Sequence, residues 1–179
     1  MNKGLLMILI SLIQLNGWAQ KSKPMTPVQS NEQRIKEQAN QMAACLLKND
    51  MRGFAKFTYP LLIQKMGGDQ KFIQTLEGGT AQMRRQGNTF MSIDFGEPTK
   101  IISYKKELQS TIFQTIQMKV SGGHVVSKST LIAISTNNGL NWYFIEPPNQ
   151  SIQEIQKAFP NLSNQLLIPP RSKPRFFKY

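Results

Sequence analysis

At Asn88 the apolar residues change period, from the three-and-four spacing of helices to the alternation of strands. Before it, Ser30 and Gln33 have the spacing of a capping box, and Ile35, Ala39, Met42 and Leu46 follow on one helical face that ends near Asn49. Asp50 is placed to cap a short second helix carrying Met51, Phe54 and Phe57, which stops at Tyr59-Pro60 because a residue before proline disfavours the helical region. A third piece, Leu61 to Met66, breaks at Gly67-Gly68. Asp69 is then expected to cap a longer helix with Phe72, Ile73, Leu76, Thr80 and Met83 in register, closed by Gly87-Asn88. Gly78-Gly79 inside it costs about 1 kcal/mol per glycine relative to alanine, which predicts a kink or a close backbone approach there.

Beyond Asn88, Thr89 to Phe95 predicts a strand with Met91, Ile93 and Phe95 on one face, Ser92 and Asp94 on the other, and a turn at Gly96-Glu97-Pro98. Ile101 to Tyr104 is a short second strand. The two longest strands are Thr111 to Val120 and Val125 to Ser135, joined by Ser121-Gly122-Gly123, and Asn137-Asn138-Gly139 turns the chain into Trp142-Tyr143-Phe144-Ile145. Ile152, Ile155 and Phe159 then mark a short helix stopped by Pro160. Leu166-Leu167-Ile168 is an apolar patch ahead of Pro169-Pro170. Helices first and a meander of strands afterwards make an α+β arrangement, with helices packed on one face of a curved antiparallel sheet of four to five strands, a short C-terminal helix and a basic tail.

A chain of 179 residues with 40% apolar content suffices for one domain resting on its own core. Its single cysteine, Cys45, excludes an internal disulfide framework and a multi-thiolate zinc site, and is expected to pack as a small hydrophobe. Residues 1–19 have the pattern of a secretory signal peptide: Lys3, an apolar run from Leu5 to Leu15, then Gly17-Trp18-Ala19 with cleavage expected between Ala19 and Gln20. That run is about half the roughly 20 residues of a membrane-spanning helix. The expected organisation is a signal peptide over 1–19, a linker over 20–29, the α+β domain over 30–146, a helical extension over 147–170 and a basic tail over 171–179. The expected location is a periplasm or the extracellular medium.

The Asp50-to-Phe57 helix leading into Tyr59-Pro60, the Gly68-to-Met83 helix, the paired strands around Ser121-Gly122-Gly123 and the closing Gly139-Leu140-Asn141-Trp142-Tyr143-Phe144-Ile145 together resemble the nuclear transport factor 2-like, or cystatin-like, superfamily. Its resemblance implies N-terminal helices lying in a bent antiparallel sheet, with a cone-shaped pocket between them and a sheet that can pair back to back as a homodimer. More narrowly, LIAISTNNGLNWYFIE and FPNLSNQLLIPP resemble segments of small exported bacterial proteins of unassigned function. Ser135, Asn137, Gly139 and Trp142 are spaced like the Asp-box of sialidase repeats, with asparagine for aspartate; one copy cannot make a propeller, so it predicts a turn beside a buried tryptophan.

Such a fold hosts many functions, so chemistry must be sought in residues. An enzyme implied by the resemblance would place an acid or base in the cone. Asp94 is the candidate base because it interrupts an apolar strand, and burial would raise its pKa; the competing reading puts Ser92 and Asp94 on a solvated face. Tyr59 is the candidate partner that polarises a substrate, and Tyr104, Tyr143 and Trp142 are candidate ligand contacts, although such aromatics commonly pack with their polar ends in water. His124, the only histidine, follows the glycines of a hairpin tip and is expected in solvent, which leaves histidine triads and multi-histidine metal sites without their main residue. Neither a metal nor a cofactor is expected.

The formal charge of +12 is concentrated at the ends. Seven of the 22 cations lie outside Pro24–Pro170, leaving 15 against 10 anions, a net +5 for the body. Arg171, Lys173, Arg175 and Lys178 with Phe176, Phe177 and Tyr179 could contact an anionic surface weakly, the alternative being a solubilising, loosely ordered terminus. Export makes nucleic acid the least natural partner. The resulting expectation is a non-catalytic binding or interaction module for a small molecule or envelope component; its rival is a cofactorless lyase or isomerase with Asp94 as base.

Overall fold

A computed structural model describes residues 29–179; the expected signal peptide, its cleavage between Ala19 and Gln20 and nearly all of the linker lie outside the described residues. Four helices precede the sheet: α1 (Asn31–Leu47), α2 (Met51–Ala55), α3 (Pro60–Lys65) and α4 (Asp69–Arg85). Both halves of the α1 capping box form, Ser30 Oγ accepting from the Gln33 amide while the Gln33 side chain accepts from the Ser30 amide. Asp50 likewise accepts from the Gly53 amide to start α2. At α4 the expected cap shifts by one: Gly68 is the cap with φ 89°, and Asp69 is the first helical residue, where its charge favours the positive end of the helix. The helix runs unbroken through Gly78-Gly79, and a Cβ at either would meet nothing within 4 Å. No close approach therefore explains these two glycines.

The sheet is antiparallel and α+β holds, with six strands rather than four or five: β1 (Thr89–Pro98), β2 (Ile102–Tyr104), β3 (Glu107–Val120), β4 (Gly123–Ser135), β5 (Tyr143–Ile145) and β6 (Arg175–Lys178), with α5 (Ile152–Ala158) between the last two. Its spine is the β3–β4 hairpin, in register from Val120↔Gly123 at the tip to Leu108↔Ser135 at the base. Along the free edge of β3 lie β1, then β2; along that of β4 lie β6 near the tip and β5 near the base. β3 begins four residues before the expected Thr111, because Lys105 and Lys106 both take left-handed φ (47° and 66°) and close a two-residue turn between Tyr104 and Glu107.

In β1 the expected parity fails at one residue. A register shift between Phe90 and Ser92 leaves Met91 as the extra residue, so Phe90 joins Ile93 and Phe95 on the inner face and Met91 is exposed. A second shift carries the strand through Gly96-Glu97 to Pro98, where a turn was expected.

Two cores sandwich the base of the hairpin. On one face Ile35, Ala39 and Met42 of α1 pack on Ile112, Leu131, Ala133, Trp142 and Phe144. On the other, the segment after β5 brings Ile155, Phe159, Leu162 and Leu166 onto Ile132, Ile134 and Ile145, with Tyr59 among them. This double cover is why Thr130 to Ser135 are buried at six successive positions instead of alternately. Tyr59 reaches the second face because Phe57 to Tyr59 run beside β5 as a parallel bridge, the Phe144 amide donating to Phe57 O at 2.7 Å and the Tyr59 amide to Phe144 O at 3.2 Å.

Candidate functional site

Between α1, α2, α4 and the inner face of the sheet the side chains leave a cavity of about 220 Å³. Its helical wall is Met42, Ala43 and Leu46 from α1, Phe54 from α2, Leu62 from α3, and Phe72 and Leu76 from α4. The floor is Ile93, Ile116, Leu131 and Phe144, which point inward because they fall on the same parity of their paired strands. This wall is apolar for the same reason that the helices and strands are amphipathic.

Three polar residues complete the lining: Thr58, Gln114 and Glu146. Thr58 and Gln114 are each only 5% exposed. Gln114 donates from Nε2 to Ser129 Oγ at 2.9 Å. Its Oε1 and the Thr58 hydroxyl are not sealed away without a partner: among the described residues the buried side-chain polar atom that lacks one is His124 Nδ1. Glu146 is the only ionisable side chain in the lining, and it pairs with Arg171. Arg171 itself lines a neighbouring cavity of about 400 Å³, where the edge of β4 at Ser129 and Thr130 is left between β5 and β6 and faces Pro147 to Ser151.

The expected site residues are not brought together. Asp94 pairs in register with Thr115, on the sheet face opposite α1–α4; it is exposed and accepts from Ser92 Oγ at 3.0 Å. It therefore stands outside the cavity. Tyr59 lies on the second face and is buried: its hydroxyl donates to Glu107 Oε1 at 2.9 Å. Burial first, then the hydrogen bond to Glu107 and the charge of Glu107, push the Tyr59 hydroxyl well above its ordinary value of 10.0. It is held as a donor, committed to Glu107.

Glu107 and Gln109, which the alternation pattern gave no reason to single out, are almost fully buried, and they tie the C-terminal segment to the sheet. Gln109 Nε2 donates to Glu107 Oε2 at 2.8 Å and to Asn161 O at 2.7 Å, while the Ser163 amide donates to Gln109 Oε1 at 2.8 Å. The signal that was available is a pair of long polar side chains two residues apart in a strand, which share one face.

Tyr104 is exposed at the β2–β3 turn with the Lys105 ammonium 5.4 Å from its ring centre, and Tyr143 packs against the second core. Trp142 is 1% exposed within the first core, and its indole donates to Gly139 O at 3.1 Å. The Asp-box-like stretch is a self-bonded turn: Gly139 N donates to Ser135 Oγ at 2.9 Å and Asn141 N to Asn137 Oδ1 at 2.9 Å. α1 grips it through Gln38, whose Oε1 accepts from the Trp142 amide at 2.7 Å.

The tail residues divide. Arg171 is committed to Glu146, Lys173 is exposed in the approach, and Arg175 and Lys178 are exposed on β6. His124 is not free in solvent: it is half-buried, opposite Phe177 in the β4–β6 register, with ring centres 5.1 Å apart and planes at 13°. Cys45 is half-buried, and burial and the Asp50 carboxylate push its thiol up, away from the thiolate a nucleophile needs. Among the described residues no three His, Cys, Asp or Glu side chains are grouped to hold a metal ion, and no helix is long and apolar enough to cross a membrane. Comparison with known proteins finds no matching family model, curated protein or solved structure.

Proposed function

We propose that the protein is a single-domain binding module that takes a small, mostly apolar molecule into the cavity between α1, α2, α4 and the sheet, and performs no chemistry on it. The observation that carries this reading is an apolar wall interrupted by two buried polar side chains, Thr58 and Gln114, that retain unused hydrogen-bonding capacity. Polar groups in such a wall are open to water while the cavity is empty, and a ligand with a matching polar end can take the place of that water. Space sets the ligand class: an apolar cavity of about 150 Å³ is enough for benzene, so about 220 Å³ suits an aromatic ring or short chain with a small polar end. The exposure of Asp94 and the commitment of Tyr59 to Glu107 support binding over proton transfer.

Export belongs to the same reading, on the strength of the residue 1–19 pattern. N-terminal sequencing of the protein recovered from cells is expected to begin at Gln20; retention of Met1 overturns export without touching the cavity. For binding, propylbenzene is titrated into the isotopically labelled protein and amide shifts are followed. Saturable shifts at Ala43, Leu131 and Phe144, lost in Ala43→Leu while the thermal midpoint is kept, are the expected result. A folded protein whose cavity-lining amides do not respond overturns it.

A further inference from the structure

The polar lining of the cavity has a consistent chemistry. Gln114 gives one amide hydrogen to Ser129 and keeps its carbonyl oxygen and a second amide hydrogen, Thr58 offers a hydroxyl, and Glu146 offers a carboxylate. All three present lone pairs, and no lysine, arginine or histidine lines the cavity. Arg171 meets one oxygen of Glu146 from the neighbouring cavity. The apolar wall adds the rings of Phe54, Phe72 and Phe144, whose faces attract a cation and repel an anion.

We infer that the cavity selects a ligand whose polar end is a hydrogen-bond donor bearing positive charge, a small aralkyl or alkyl amine, over the carboxylate of the same shape. This rests on the binding reading above. An ammonium group carries three donors and no acceptor, so each polar residue of the lining offers it an acceptor and none offers it a like charge. A carboxylate ligand has only acceptors; beside Glu146 and the Gln114 carbonyl it would be desolvated against like partners, with the Thr58 hydroxyl and the second Gln114 amide hydrogen as the neutral side-chain donors in the lining.

The test uses three probes of nearly one shape: propylbenzene, 2-phenylethylamine and 3-phenylpropionate, each titrated into the full chain with amide shifts of the cavity wall as readout. Glu146 is partly exposed, so its contribution is screened; the amine is expected to bind about tenfold tighter than the carboxylate. Glu146→Gln is expected to cut amine affinity about fivefold and to lower the amine-to-carboxylate ratio by at least as much, and Arg171→Gln, which frees Glu146, to raise amine affinity. Propylbenzene bound with the carboxylate equal to or tighter than the amine overturns the inference alone, as does Glu146→Gln without effect on the amine-to-carboxylate ratio. Failure of all three probes overturns the binding reading and this inference together.

Discussion

The Tyr59 hydroxyl donates to Oε1 of Glu107 at 2.9 Å, joining the residue before α3 to the first residue of β3 across 48 positions of sequence. Both partners are buried, so the bond cannot be exchanged for water. Tyr59→Phe is expected to cost about 1–3 kcal/mol in urea unfolding, because it leaves a buried carboxyl oxygen without its donor. The pair also sets a pH dependence. The folded-state pKa of Tyr59 is raised, so the folded state holds this proton more tightly than the unfolded chain; the contribution is fully present below about pH 10 and is lost as pH rises above it. The difference in stability between the protein and Tyr59→Phe should therefore shrink above pH 10, and a difference that grows there refutes the assignment.

Gly123 is required by β6. Its φ is not left-handed, and a Cβ there would collide with the backbone carbonyl of Phe177 and approach the Phe176 ring at 2.9 Å. A backbone atom cannot swing aside as a side-chain end does, so Gly123→Ala should evict Arg175–Lys178 from β4 and unstack Phe177 from His124. Hydrogen exchange at the β6 amides is expected to speed up by about tenfold or more, with the amides of Ile112 and Leu131 unaffected.

Gly78 and Gly79 lie in unbroken helix with open space where a Cβ would stand. Alanine at either position restricts the unfolded chain and strains nothing, so each substitution should stabilise by about 0.5–1 kcal/mol. Thermal unfolding should show this as a rise of about 2–4 °C per kcal/mol. A fall in midpoint for both would mean that something packs there.

Asp94→Asn should leave stability within about 0.5 kcal/mol, since the side chain is exposed and its one hydrogen bond comes from its neighbour Ser92. Propylbenzene affinity should be unchanged as well. Loss of cavity binding in this variant would contradict the placement of Asp94 on the outer face.

The elements themselves were legible because their causes are local. The Ser30-Gln33 box, the Asp50 cap, the Gly122 turn at the hairpin tip and the Ser135-to-Trp142 turn are each built by residues within a few positions of one another. Strand parity was legible only where the register is unbroken. One extra residue at Met91 reverses its side, and a bulge is a property of the pair, decided by what β3 places opposite.

By itself, then, the sequence determined the order of helices before strands, most of their boundaries, and the turns that join them, since periodicity and capping act over a few residues. Only the tertiary structure decided which face each residue meets. Tyr59 leaves its expected place inside the cone because residues 57–59 pair along β5, and Glu146 enters the cavity wall because it follows Phe144 at strand spacing. The tail becomes β6 because the edge of β4 beyond the reach of β5 is open to it, and Gly123 leaves room. These outcomes depend on backbone partners far away in the chain, and an unsatisfied strand edge or a buried hydroxyl acquires its partner only when the chain has closed on itself.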